Sequence, residues 1–337
     1  MNEFLALHTL FHTPQLGPVR IRKLIQEFGS CLNACQAKDL KQNDHAKRDL
    51  EIADKCNVSI IAFFDPLYPK ELLSINNFPP LIYVKGKFNN QKKIAIVGTR
   101  NATIYGLETA RKIAHDLSLN DITIVSGLAR GIDTEAHIGA LKSGYTYAVL
   151  GSGLLNIYPK ENISLASEIK DNGILISEFA MQTPPSRENF PKRNRIVSGL
   201  SESILLIEAP KKSGAMLTME IAKGQNKKLF ALPGRTDSSS FEGNLELLHS
   251  GAAKIARNAT DLIGQDKINN APLSNIMQLS KDEAFIIKLL PSQEISIEEL
   301  SRRADLPISK LNVVLMGLVL KKVIREYPGK IYKLCEC

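Results

Sequence analysis

The run Lys93–Thr99, KIAIVGT, decides the fold. Its apolar block, Ile94 to Val97, is too short for a helix, is rich in β-branched residues and shows no polar alternation, so it reads as a strand buried on both faces. The same signature returns in Asp121–Gly127 (DITIVSG), Tyr145–Gly151 (YTYAVLG), Gly173–Phe179 (GILISEF), Ser203–Ala209 (SILLIEA) and Lys228–Gly234 (KLFALPG). Gly, Pro or polar residues follow each run, and a helical segment follows most of them. Strands alternating with helices predict a doubly wound α/β fold with a parallel sheet. Its ligands are expected outside the carboxyl ends of the strands, near the point where strand order reverses.

Outward from this block, residues 81–264 read as the Rossmann-like domain and residues 1–80 as a helical module. In Pro14–Ser30, Leu16, Val19, Ile21, Leu24, Ile25 and Phe28 fall near helical spacing, with Gly17 and Pro18 opening a helix and Gly29 closing it. The segment resembles a helix-hairpin-helix or SAM-like module, which either offers backbone amides to DNA phosphates or simply packs helices. Residues 265–279, polar and broken by Pro272, read as a linker. Residues 280–337 offer three helices and then two short strands around Pro328 and Gly329, the order of a winged helix. Its third helix, ISKLNVVLMGLVLKK, is charged only at Lys310, Lys321 and Lys322, a poor complement to a major groove. Protein contact or domain packing is expected of it instead.

A length of 337 residues predicts two or three domains, and a net charge of +8 favours polyanionic partners without demanding them. The start, MNEFLALHTLF, lacks a basic n-region, and no stretch reaches the roughly 18 apolar residues of a membrane span. A cytoplasmic protein with no membrane partner is expected. Cys31, Cys35, Cys56, Cys335 and Cys337 form no CxxC pair, and no histidines read as zinc ligands, so reduced thiols and no metal are expected.

The strand ends carry the chemistry. After the first strand stand Gly98, Thr99 and Arg100, one glycine where a dinucleotide fold would place three, and no acidic residue ends the second strand, so an NAD or FAD cofactor is not expected. A P-loop is absent from the sequence as well. After the second strand, Ser126, Gly127 and Gly131 free the backbone to present amides, Arg130 adds charge, and Asp133 can cap the helix that carries His137. Asp133 and His137, four residues apart, admit an acid/base reading, but no nucleophile is tied to them, so a cap beside a packed histidine is preferred. Lys211, Lys212, Ser213 and Gly214 open a later helix in another anion-binding arrangement. In Phe190–Leu200, FPKRNRIVSGL, Lys192, Arg193 and Arg195 form a cationic knot beside Phe190. Arg100, Arg130, the knot and Lys212 are expected to converge along one rim, with Phe190 stacking on a base, as single strands are held without sequence preference.

VGTR, SGLARGIDTEAHIGAL, AVLGSGLLNIYPKEN, LISEF, FPKRNRIVSGLSESILLIEAPKKSGAMLT and LFALPG, in this order, closely resemble the DNA-processing protein A family, also called Smf. The resemblance is dense from Leu67 to about Asn258. It implies a Rossmann-like domain that binds single-stranded DNA, forms a homodimer and loads the RecA recombinase during natural transformation, with no cofactor and no catalytic residues. By motif position it assigns DNA contact to Gly98, Thr99, Arg100, Arg130, Phe190, Lys192, Arg193, Asn194 and Arg195. The chain departs from the family in NLELLHSGA, where NxLIxxGA is usual, and in AMLTM, where SLITA is usual, both near helices that could form the dimer. Two alternatives remain: a nucleotide-hydrolysing Rossmann enzyme of the phosphoribohydrolase kind, whose PGGxGTxxE loop is replaced here by KKSGAMLTME, and a duplex-DNA-binding regulator using the winged helix.

Overall fold

The computed structural model describes residues 2–264, 280–290, 295–321, 323–327 and 329–334. They fall into two compact units, within Met1–Asn269 and Asn270–Cys337. The segment 265–279, expected to be a linker, lies outside the described residues.

The first unit opens with four helices, α1 (Glu3–Phe11), α2 (Pro18–Phe28), α3 (Cys31–Ala37) and α4 (Asp44–Lys55). As the sequence implies, Gly17 and Pro18 start α2, and Gly29, at φ 80°, ends it in the left-handed region that glycine enters without strain. Then come β1 (Ser59–Ala62), α5 (Lys70–Leu73), β2 (Leu81–Gly86), β3 (Lys92–Val97), α6 (Ile104–Leu119), β4 (Ile122–Ser126), α7 (Ile132–Leu141) and β5 (Thr146–Leu150). The chain continues through α8 (Ile163–Asn172), β6 (Gly173–Ser177), α9 (Asn189–Gly199), β7 (Ser203–Leu206), α10 (Gly214–Gly224), β8 (Lys228–Ala231), α11 (Glu242–His249), β9 (Lys254–Ile255) and α12 (Ala259–Ile263).

The nine strands form one sheet in the order β1-β2-β6-β5-β4-β3-β7-β8-β9. From β6 to β9 all neighbours are parallel, as the apolar runs predict. Alternate residues of β3 enter opposite layers: Ala95 and Val97 pack with Ile196 and Val197 of α9 and Met219 of α10, while Ile94 and Ile96 pack with Ile113 and Leu117 of α6. Burial on both faces is why the run has no polar alternation.

The division at residue 80 is corrected. β1 pairs antiparallel with β2 (Ile60 opposite Tyr83), and β2 pairs antiparallel with β6 (Tyr83 opposite Ser177), so the sheet already begins inside the span read as a helical module. The second unit holds α13 (Lys281–Leu289), β10 (Ile295–Ser296), α14 (Ile297–Ala304), α15 (Ile308–Leu320), β11 (Ile324–Tyr327) and β12 (Ile331–Leu334), with the strands antiparallel in the order β10-β12-β11. This is the winged helix. Among the described residues no helix is long and apolar enough to cross a membrane.

Candidate nucleic-acid interface

Strand order reverses at β3, which lies between β4 and β7, and the loops leaving these strands diverge around a crevice. Here an open groove of about 620 Å³ is lined by Gly98, Thr99 and Arg100 after β3, Gly127 after β4, Phe190, Arg193 and Asn194 on α9, and Ser213 and Gly214 at the start of α10. Arg130 borders an adjoining recess that shares Arg100, Gly127, Phe190 and Arg193. Ten of the fifteen expected residues therefore meet at one place. Sequence reading missed Arg187, an exposed cation on the groove three residues before Phe190, and Tyr158, whose ring lies 5.7 Å from that of Phe190. The stretch SRENFPKR carried the signal for Arg187.

The rest of the knot does not reach the groove. It is part of helix α9 rather than a loop, and successive helical residues point about 100° apart. Lys192 is exposed and off the groove lining, as is Lys212. Arg195 is 7% exposed and ion-paired to the equally buried Glu178, just after β6, which corrects its expected place on the phosphate rim. Arg195 Nη1 and Glu178 Oε1 find no hydrogen-bond partner among the described residues. Arg193 borders the groove but points inward, donating to the Gly127 carbonyl and, at 2.6 Å, to that of Val149. Burial pulls its pKa down to about 10 against the opposing attraction of Asp133, so it stays charged near neutral pH.

Ser126 is also corrected: fully buried, it donates to the Ile96 carbonyl at 2.7 Å and so bonds β4 to β3. Gly131 is a joint rather than a contact. It has φ 74°, and a Cβ there would stand 2.5 Å from the Thr99 carbonyl oxygen, so the loops after β3 and β4 close on each other only with glycine. Asp133 does not cap its own helix; its carboxylate accepts the Gly127 amide at 3.1 Å and the Ala129 amide at 3.4 Å from the preceding loop. Burial raises its pKa against the pull of Arg193 and these bonds. His137 is buried with its Nδ1 2.7 Å from Thr146 Oγ1, and burial drives its pKa down to about 3. A histidine that stays neutral and a carboxylate spent on two amides do not make an acid/base pair.

Glu208, also unforeseen, directly follows the apolar β7 run and is fully buried. Its carboxylate accepts the Thr103 hydroxyl at 2.7 Å and the Thr103 amide, while its backbone carbonyl accepts the Thr99 amide at 2.7 Å. The loop that carries Arg100 is thereby fastened at both ends. The Arg100 guanidinium carbon stands 5.2 Å from the Phe190 ring centre, within cation–π range, and Arg100 itself is exposed. Ser213 caps α10 by accepting the Met216 amide at 3.2 Å. The groove thus brings together an aromatic ring, the exposed guanidinium groups of Arg100 and Arg187 and one helix N-terminus, the kinds of group that hold bases and phosphates.

The family model for DNA recombination-mediator protein A matches residues 59–266, and that for the DprA winged helix domain matches residues 270–330. Protein Smf of Synechocystis is 37% identical over 266 residues, 71% of this chain and 67% of its own length. The crystal structure of DNA processing protein A from Streptococcus pneumoniae superposes with a TM-score of 0.68 at 28% identity, covering 78% of this chain and 96% of that one. DNA processing protein A from Helicobacter pylori, whose structure is described in terms of its single-stranded DNA binding mode, has a TM-score of 0.56 at 32% identity over 61% of this chain and 94% of that one.

Proposed function

The chain belongs to the DNA recombination-mediator protein A family, and on that premise we propose that it binds single-stranded DNA along the groove at the β3 switch point and acts there by binding rather than bond cleavage. The observation that carries the reading is Phe190, with Arg100 over its ring, in a groove that the exposed Arg187 also lines. A base stacks on the ring while its neighbouring phosphates meet the guanidinium groups, and no base edge has to be read. Gly98, Thr99, Gly127, Asn194, Ser213 and Gly214 supply close approach and polar contacts; Arg130 extends the rim, although Glu161 pairs with it. The single-strand binding mode described for the Helicobacter pylori protein supports this reading.

Single strands are expected to bind much more tightly than duplex of equal length. Arg100→Ala should weaken binding on every sequence and lower the slope of log affinity against log salt by about 0.7, and Phe190→Ala should cost about 1–3 kcal/mol of binding. Fluorescence titrations of both oligonucleotide forms across a salt series check this. Duplex binding as tight as single-strand binding would overturn it. The winged helix gives little support to the groove-reading alternative: along α15 the apolar Ile308, Val313, Met316 and Leu320 are exposed beside the cation Lys310, a poor complement to a major groove.

The family's description as a recombination mediator supports a further step, in which the bound strand is handed to the RecA recombinase. A homodimer belongs to the same proposal, with altered support. The run LELLHSGA, expected to supply an interface, places Leu247 and Leu248 against the chain's own core. The sheet instead ends at β9, where Ile255 is 56% exposed on an edge strand open to pairing. Ile255→Asp should yield monomers in sedimentation velocity at micromolar concentration; dimers of unchanged strength would exclude this edge.

A further inference from the structure

Away from the groove, His8 of α1, His12 at its C-terminal cap and Asp49 of α4 bring three ligand-type atoms within 4.8 Å of one another. We propose that this cluster is a structural site for one zinc-class divalent cation, which clips α1 to α4 and, through Tyr83, to strand β2.

The histidines, in HTLFH, stand four residues apart, so a helical turn puts both imidazoles on one face. His8 Nε2 lies 3.4 Å and His12 Nε2 3.3 Å from the same Asp49 oxygen, Oδ2. A charge-assisted N–H···O bond runs to about 2.7–2.9 Å, so both contacts are long for one. They match the edges of a tetrahedron instead. With metal–nitrogen bonds of about 2.0–2.1 Å and metal–oxygen bonds of about 2.0–2.2 Å, two ligand atoms on a tetrahedral ion lie about 3.3–3.5 Å apart.

The surroundings hold the carboxylate as a ligand is held. Asp49 Oδ1 accepts the Met181 amide at 2.8 Å, and Oδ2 accepts the Tyr83 hydroxyl at 2.6 Å, so both oxygens are oriented by groups outside the cluster. His8 Nδ1 is buried and finds no partner among the described residues, so the Nε2 side is where this ring makes its polar contact. His12, 11% exposed, leaves an edge through which an ion and a water as fourth ligand can enter. Two nitrogens and one oxygen suit zinc and its transition-metal neighbours rather than calcium or magnesium.

The test uses the full chain carrying Cys335→Ser and Cys337→Ser, so that the Cys-x-Cys tail offers no competing thiolates. After removal of metal by a chelator, Co²⁺ should bind one per chain with the visible absorption of a tetrahedral ion, and Zn²⁺ should displace it and raise the thermal midpoint by several degrees. Asp49→Asn and His12→Gln should each weaken Co²⁺ binding more than about 100-fold, and Tyr83→Phe by about 10–100-fold, the range for outer hydrogen-bond partners of a ligand. If Asp49→Asn does not fold, His12→Gln, whose side chain reaches the surface, decides the matter. A folded chain that gives no tetrahedral spectrum with tenfold excess Co²⁺, or one whose binding is undiminished by His12→Gln, would show a hydrogen-bonded clasp and overturn the metal site.

Discussion

Arg195→Ala is expected to cost about 3–5 kcal/mol of folding stability while leaving the salt slope of DNA binding unchanged, because it strands a buried carboxylate. Glu178, 6% exposed, has Arg195 as its ion-pair partner, and one oxygen of the carboxylate is already without a hydrogen bond among the described residues. Burial raises the pKa of Glu178 even now, against the attraction of Arg195 and Lys192. Without the guanidinium it rises further. A carboxyl raised in the folded state is tolerated while protonated, so the deficit of the variant should be smallest near pH 5 and grow as pH rises through the raised folded value. Urea unfolding at pH 5 and pH 8 measures this, and replacing both partners, as Arg195→Met with Glu178→Leu, should recover most of the loss. Unchanged stability with a salt slope lowered by about 0.7 would instead place the guanidinium on a phosphate.

Arg193→Ala should damage folding and binding together. Its guanidinium sits beneath Gly127, bonded to the carbonyls of Gly127 and Val149, so it ties the loop after β4 to the end of β5. Removal takes the guanidinium donor from two buried carbonyls, at about 1–3 kcal/mol for each left unsatisfied, and Asp133 loses its counter-charge. The Arg193 guanidinium carbon also lies 5.9 Å from the Phe190 ring centre, so the ring loses a cation–π contact. A stability loss of about 3–5 kcal/mol is expected, together with single-strand affinity weakened more than by Arg100→Ala. Arg193→Lys keeps the charge but not the fork that spans two carbonyls, and should restore only part of either property. Calorimetry with the same DNA titrations checks both arms; wild-type stability with a loss confined to the salt slope would return Arg193 to the phosphate rim.

The two arginines show how far the sequence could be read. The strands of the parallel block were legible because a strand covered on both faces has nowhere to put a polar residue, so Ile94 to Val97 and the five runs like it stand out from any helix. β1 and β2 were not. Ser59–Ala62 and Leu81–Gly86 are short and stand among helical segments, the second directly after Pro79 and Pro80, and three or four apolar residues do not reveal whether they belong to a strand or a helix. Glu208 was hidden for a similar reason. An acidic residue closing an apolar run looks like an ordinary strand end until Thr103, 105 residues earlier, folds back onto it.

Local composition and spacing along the chain were enough for the parallel block of the sheet, the strand ends at which a ligand would gather, and the aromatic residue among their cations. The tertiary structure alone decided which cations face outward. A helix turns about 100° per residue, so Lys192, Arg193 and Arg195 cannot share a direction, and only the packing of α9 against the ends of β4, β5 and β6 turned the two arginines inward onto Gly127 and Glu178. The same holds for Asp49. Nothing near it in the chain marks it as a partner of His8 and His12, because their meeting depends on how α1 and α4 pack together, through Phe11, Ile52 and Ala53, against the core under β2 and β6.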